Sequence, residues 1–229
     1  TQMLNELVQA GVLGDVYYVE TGGGRRRGMP GGTFIRKETA GAGAVADVGC
    51  YALDLVMEAL GHPRPLTASA ATYNHFGTSA KYHPEAEHFE VEDFGCAFVR
   101  FEGGLTMVFK TAWAMHMDSL GAMLFLGTEA GLKLTPAGSG PWGGAWDKGI
   151  GSMTLYHDIH GHHTASPIPL KEHTLDVFTA KVKDFVRAIQ QGDEAPISGE
   201  QILLNQAIID AVLRSAELRK EVAIHIPEI

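Results

Sequence analysis

The stretch GAGAVADVGCYALDLVMEALG, residues 41–61, decides how this chain folds. Gly41, Gly43 and Ala46 match the G-x-G-x-x-G/A spacing of a dinucleotide-binding turn. Asp47, Tyr51 and Asp54 can instead form a row of reactive side chains on the helix that follows. On the first reading the chain holds a cofactor. On the second it presents a substrate to one.

The flanks favour the second reading. A dinucleotide turn needs a buried apolar strand directly before its first glycine. Here Ile35 is followed by Arg36, Lys37, Glu38 and Thr39, a charged run. Downstream, no second βαβ unit appears. VEDFGCAFVRF (91–101) and LTMVFKTAWA (105–114) flank Glu102-Gly103-Gly104, a hairpin signature. AMLFLG (122–127) and GLKLTP (131–136) make a second hairpin. Further strands are expected at 15–21, 66–76, 152–159 and 222–226, with loops at 22–43, 76–90 and 138–151.

Helices are expected at 1–11 and at 44–60, the latter closed by Gly61 and Pro63. Leu175, Phe178, Val182, Phe185, Val186 and Ile189 follow helical spacing. Ser198 and Gln201 form a capping box that opens a last helix reaching about Lys220. Helices around a block of consecutive strands predict an α+β fold: an open, mainly antiparallel β-sheet with helices packed on one face. Apolar strand residues on the other face then need a partner surface, so a homo-oligomer is expected, a dimer or tetramer.

The totals narrow the function classes. The 229 residues carry a formal net charge of −9, which argues against a nucleic-acid binder. No apolar run reaches the roughly 20 residues of a membrane-spanning helix, and no secretory signal opens the sequence. Cys50 and Cys96 are too few for a disulfide framework and read as small buried residues of a reducing compartment, so a cytoplasmic protein is expected. TQMLNELVQAG (1–11) reads as the back half of a helix without an N-cap. The expectation is therefore a single domain, 1–229, from a longer protein, with 1–11 the remnant of a preceding helix.

On a helix over 44–60, Asp47, Cys50, Tyr51, Asp54 and Glu58 share one face, and Val48, Ala52, Leu53, Leu55, Val56, Ala59 and Leu60 the other. A solvated acidic face accounts for that pattern. So does a catalytic row: a tyrosine can exchange the proton of an alcohol, and a nearby carboxylate can orient it.

At this stretch the sequence resembles the C-terminal domain of the Gfo/Idh/MocA oxidoreductases, the family of glucose–fructose oxidoreductase and inositol dehydrogenase. The family has a glycine-rich segment, then Asp-x-Gly-x-His/Tyr-x-x-Asp on a helix. Here it stands as Gly41-Ala-Gly43, then Asp47-Val-Gly49-Cys-Tyr51-Ala-Leu-Asp54. Leu13-Gly14-Asp15-Val16 is similar to the family's lead into the first strand. RRRGMPGG (25–32) is similar to the arginine-rich loop of one subgroup, and residues 91–113 to a strand–turn–strand ending in Ser/Thr-x-Trp. The last two helices match the closing pattern.

The resemblance implies a two-domain enzyme. An N-terminal Rossmann domain, absent from this chain, would bind NAD or NADP. This chain would bind a sugar or polyol and mediate assembly. Carried over by position, Asp47 orients the substrate and Tyr51 occupies the acid–base position, with Asp54 beside them. The lysine central to the family's chemistry is not in this chain. An unperturbed phenol, with a pKa of about 10, needs such a cation to serve as a base. Gly41 and Gly43 would approach the nicotinamide.

Arg25, Arg26 and Arg27 suit a carboxylate or phosphate, or else form a solvated charge run. Trp113 reads as a substrate or core residue, while Trp142 and Trp146 cover the site or meet a partner subunit. The family's active site draws on the region of HDIHGHH (157–163), which puts His160 in the substrate pocket. The same four histidines and Asp158 could bind a metal, although strand alternation makes His157 and His160 diverge, and no metal is expected. Two other readings stand beside the enzyme: a non-catalytic open-sheet dimerisation module, and a metal-binding domain using 157–163.

Overall fold

The computed structural model describes residues 2–139, 143–144, 146, 148–170 and 176–227. The strands are β1 (Val16–Gly24), β2 (Pro65–Tyr73), β3 (Phe94–Phe101), β4 (Thr106–Ala112), β5 (Met123–Gly127), β6 (Ala130–Pro136), β7 (Ile150–Ile159), β8 (His162–Ile168) and β9 (Val222–Ala223). They form one open sheet in the order β8-β7-β6-β5-β1-β4-β3-β2-β9. The helices are α1 (Gln2–Gln9), α2 (Lys37–Ala40), α3 (Ala44–Asp47), α4 (Gly49–Ala59), α5 (Val177–Gln191) and α6 (Gly199–Leu218). The expected α+β architecture is what the chain adopts. β1 and β4 pair in parallel, the other neighbours antiparallel, so the sheet is mixed.

Strand alternation builds the core. Gly95, Ala97, Val99 and Phe101 of β3 face the helices, as do Met107, Phe109 and Thr111 of β4. Leu53, Val56 and Met57 of α4 and Ile208, Ile209 and Val212 of α6 close over them. Leu4 of α1 is fully buried in the same core. Helix α1 thus packs on this core. On the opposite face Phe94, Cys96, Phe98, Val108, Leu124 and Leu126 remain half-exposed. There Lys110 donates to Glu20 Oε1 and, at 3.1 Å, to the Leu120 carbonyl, while Tyr18 donates to Glu20 Oε2 at 3.3 Å.

Several expected boundaries shift for identifiable reasons. Strand β1 continues through Gly22–Gly24, where the glycine run reads as loop. A Cβ at Gly22 would lie 2.2 Å from the Lys110 carbonyl oxygen, so the parallel pairing requires glycine. The single helix expected over 44–60 is two, with residues 37–47 bent 49° from 49–59. The break falls where a Cβ on Gly49 would meet Phe109 Cζ at 2.5 Å. β8, polar and containing Pro167, escaped the reading but pairs with β7 from Met153↔Ile168 to Ile159↔His162. The final strand is only two residues long. The Ser198–Gln201 capping box is present. Leu175 and Trp142 lie outside the described residues. Among the described residues no single helix is long and apolar enough to cross a membrane.

Candidate active site

The site is built on the end of the sheet where β1 and β4 finish together, Gly24 beside Ala112. The glycine-rich segment enters α3 there. Glu92 Oε1 accepts from the Gly43 and Val45 N–H groups at 2.8 and 2.9 Å, and its carbonyl accepts from Ala44 N at 3.0 Å. These are the free donors of a helix start, and the chain's own carboxylate takes them. A Cβ at Gly43 would sit 2.0 Å from the Glu92 carbonyl oxygen. Gly43 therefore permits contact with the start of β3 and does not clear space for a cofactor. Gly41, at φ +73°, has open space around its Cβ position. Thr111 Oγ1 donates to the Ala44 carbonyl at 3.0 Å and fixes the same turn to β4.

Asp47 ends α3. Its Oδ2 accepts from the Trp113 indole Nε1 at 2.7 Å. Trp113 is fully buried among Ile35, Ala44, Phe89 and Val91, and its backbone N–H donates to the Asp93 carbonyl at 2.8 Å. Trp113 is thus both a core residue and the anchor of the carboxylate. Among the described residues no donor reaches the second Asp47 oxygen. Tyr51, in the first turn of α4, is 72% exposed. Between them the Cys50 thiol lies 3.5 Å from the Asp47 carbonyl oxygen, and burial, then the Asp47 charge, pushes its pKa up.

The rest of the acidic row is dressed by other helices. Asn205 of α6 donates to Asp54 at 3.4 Å, and Asn5 of α1 donates to Glu58 at 3.4 Å. Asp54 therefore takes part in the α4–α6 contact, while its charge, like that of Asp47, also acts on Cys50.

The arginines divide. Arg25 lies on the strand face of Gly23, where an added Cβ would come 3.5 Å from Val48 Cγ1. It donates to the Gly28 carbonyl at 3.3 Å, and its Nε is buried without a partner among the described residues. Arg27 is engaged elsewhere. Its guanidinium stacks 4.6 Å from the Phe76 ring centroid and 5.0 Å from that of Tyr82, and donates to the Met115 carbonyl at 2.6 Å. His116 Nδ1 lies 3.3 Å from it. Beside this clamp a cavity of about 290 Å³ is lined by Tyr73, His75, Phe76, Asp93, Met115 and His116. Asp93 is 1% exposed and accepts from Phe76 N and Gly77 N, both at 2.7 Å. Burial pushes the carboxyl groups of Glu92 and Asp93 up, against the pull of these backbone donors. Sequence reasoning missed both residues. The signal was two acids at the mouth of an otherwise apolar strand.

His160 is not brought to this site. It sits at φ +50° on the β7–β8 turn. Val16↔Gly127 and Ala130↔His157 put that turn at the opposite end of the sheet from Gly24 and Ala112. There His163 bonds Asp158 at 2.8 Å and His157 contacts Ser166 at 3.0 Å. Among the described residues no three metal-ligating side chains converge. Trp146 packs half-buried on the main core.

Residues 1–133 match the family described as the GFO/IDH/MocA C-terminal domain. The chain is 33% identical over 144 residues to D-glucoside 3-dehydrogenase of Escherichia coli (strain K12), covering 60% of this chain and 41% of that protein. Among solved structures it is similar to aldose-aldose oxidoreductase from Caulobacter crescentus complexed with glycerol. That match has a TM-score of 0.75 at 22% identity, over 96% of this chain and 59% of the other. Levoglucosan dehydrogenase in complex with NADH and levoglucosan superposes with a TM-score of 0.76 at 14% identity, over 98% of this chain and 62% of the other. The chain thus spans about two fifths to three fifths of the length of these relatives. With the family match extending over more than half of its residues, the chain belongs to the Gfo/Idh/MocA oxidoreductase family, as its C-terminal domain.

Proposed function

We propose that this chain is the substrate-binding and assembly domain of an NAD(P)-dependent oxidoreductase acting on the CH–OH group of a sugar or polyol. The observation that carries the reading is Asp47. One oxygen is anchored on the Trp113 indole, and among the described residues no donor reaches the other, at the helix break before the exposed phenol of Tyr51. The free oxygen accepts a hydrogen bond from a substrate hydroxyl and orients it. Tyr51 exchanges the proton that the hydroxyl loses on oxidation. Arg25, whose Nε meets no partner among the described residues, supplies a donor on the same side of the strand end. D-glucoside 3-dehydrogenase and levoglucosan dehydrogenase, both named for sugar substrates, support the substrate class.

The residues here do not fit a dinucleotide. The Gly43 and Val45 N–H groups that would meet a pyrophosphate end on Glu92. We assign the nicotinamide, the hydride acceptor, to a further domain, in keeping with the greater length of the relatives. The half-exposed sheet face with Lys110 and Glu20 is the assembly surface of the same protein, and sedimentation of the full-length protein tests it.

The reading is tested with Asp47→Asn and Tyr51→Phe in the full-length protein. Each substitution should lower kcat by about 10²–10⁴-fold while leaving the melting temperature nearly unchanged. Near-normal turnover in both variants would overturn it.

A further inference from the structure

We infer that α5 is the docking surface for the cofactor-binding domain of the full-length protein, an inference that rests on the function proposed above. Phe178, Val182, Phe185 and Ile189 recur at spacings of four, three and four, the seam of a helix that packs on another helix. All four are 54–75% exposed, with Val186 beside them at 43%. Of the described side chains on α5 only Ala188 is buried. The stripe leaves on the order of 500 Å² of apolar surface open, the size that marks an interaction site.

Two observations select the occupant. First, 99% of this chain superposes on levoglucosan dehydrogenase, which leaves no room to omit a 15-residue helix. That relative is nonetheless much longer, since the chain covers only 62% of it. In that relative a domain of this fold therefore belongs to a chain with a further body of polypeptide. Second, α5 carries Lys181, Lys183 and Arg187 against a single anion, Asp184, in a chain of net charge −9. Stacking two copies of α5 would bring like charges together. The fitting partner is an apolar helical face with neutral or acidic flanks. Docked there, the cofactor domain is held at a fixed angle to the sheet that carries Asp47.

The test uses the full-length protein with Cys50 and Cys96 replaced by alanine and a single cysteine placed at Phe185→Cys or Lys183→Cys. Both positions are exposed in the described chain, so without a partner a maleimide labels them at similar rates. Docking predicts labelling at position 185 at least about tenfold slower than at 183, with the ratio unchanged on dilution to monomer. Equal rates overturn the inference. So does protection that vanishes on dilution, which would assign the seam to a second copy. If Phe185→Cys fails to fold, Ile189→Cys on the same seam gives the same comparison. NAD(P)-linked turnover of the Lys183→Cys protein separates the two proposals. An active enzyme with an unprotected seam overturns the docking alone. A protected seam in a protein that does not bind NAD(P) leaves α5 covered by a further domain but overturns the assignment of that domain to the cofactor.

Discussion

Replacing Gly43 by alanine distinguishes a glycine kept for a cofactor from one kept for strand packing. The added Cβ would lie 2.0 Å from the Glu92 carbonyl oxygen and 2.9 Å from Val91 Cγ2. The first contact is with backbone, so no rotamer change relieves it. Overpacking of this kind costs about 1–3 kcal/mol. Moving α3 away from β3 also stretches the Gly43 and Val45 bonds to Glu92 and the Ala44 bond to its carbonyl. Losing a hydrogen bond to a charged group costs about 1.5–3 kcal/mol. The expected loss is roughly 2.5–6 kcal/mol, assuming one such bond is lost beyond the overpacking. Gly41→Ala is the control. It meets no neighbour, so its cost is only the positive φ, about 1–2 kcal/mol. Urea unfolding of the full-length protein reads both, alongside NAD(P) affinity by fluorescence titration. A Gly43→Ala protein as stable as Gly41→Ala but unable to bind the dinucleotide would refute the reasoning and restore the cofactor-turn reading.

Trp113→Phe keeps the aromatic bulk but removes the 2.7 Å bond to Asp47, and kcat/KM should fall about 10–100-fold, the equivalent of a lost charge-assisted bond; steady-state kinetics check it. Gly49→Ala drives a Cβ to 2.5 Å from Phe109 Cζ and should cost about 1–3 kcal/mol in urea unfolding, whereas Gly199→Ala, with no neighbour in reach and no positive φ, should cost less. Burial raises the folded-state pKa of Glu92 and Asp93 above the usual carboxylate range. A carboxyl group with a raised folded pKa contributes stability that is full below its unfolded pKa and is lost as pH rises through the folded one. Glu92→Gln should therefore flatten the fall in stability on raising pH from mild acid towards neutrality. Unfolding curves with the same slope of stability against pH in both proteins would contradict this.

The sheet was legible because alternation is local. FGCAFVRF and TMVFKTA show their buried faces by period, and Gly103-Gly104 marks the turn, with φ of +76° and +88°. α6 announced itself through its capping box. What was not legible depends on partners distant in sequence. The helix over 44–60 has continuous helical composition, and only Phe109, sixty residues on, marks the break at Gly49. β8 is polar and holds Pro167, yet it forms because β7 offers it an edge. At the site, Asp47 was readable from its own helix, but its anchor Trp113 lies on another strand. His160 was expected in the pocket from the resemblance alone, and which end of the sheet its turn occupies follows only from the strand register. Arg27 looked free because Phe76, Tyr82 and Met115, which hold it, come from two other segments.

Three carboxylates at this end of the sheet are separated in role by what satisfies them. Glu92 holds two backbone N–H groups of the α3 start, and Asp93 holds two from the loop after β2. A ligand reaching either one would have to displace bonds that tie loops to the sheet, and both lie almost fully inside the protein. Asp47 differs on each count. One bond, from the Trp113 indole, fixes its direction, and the half-exposed residue keeps an oxygen that no described donor meets. An acceptor held rigid by the core and left incomplete towards solvent meets the requirement for orienting a substrate hydroxyl without reorganisation. The buried pair keeps it so. Glu92 fixes the first turn of the helical segment whose last residue is Asp47, and the Asp93 carbonyl fixes the backbone of Trp113. Truncating either buried acid should therefore lower turnover through the position of Asp47, and the loss should be accompanied by a loss of stability that Asp47→Asn does not share.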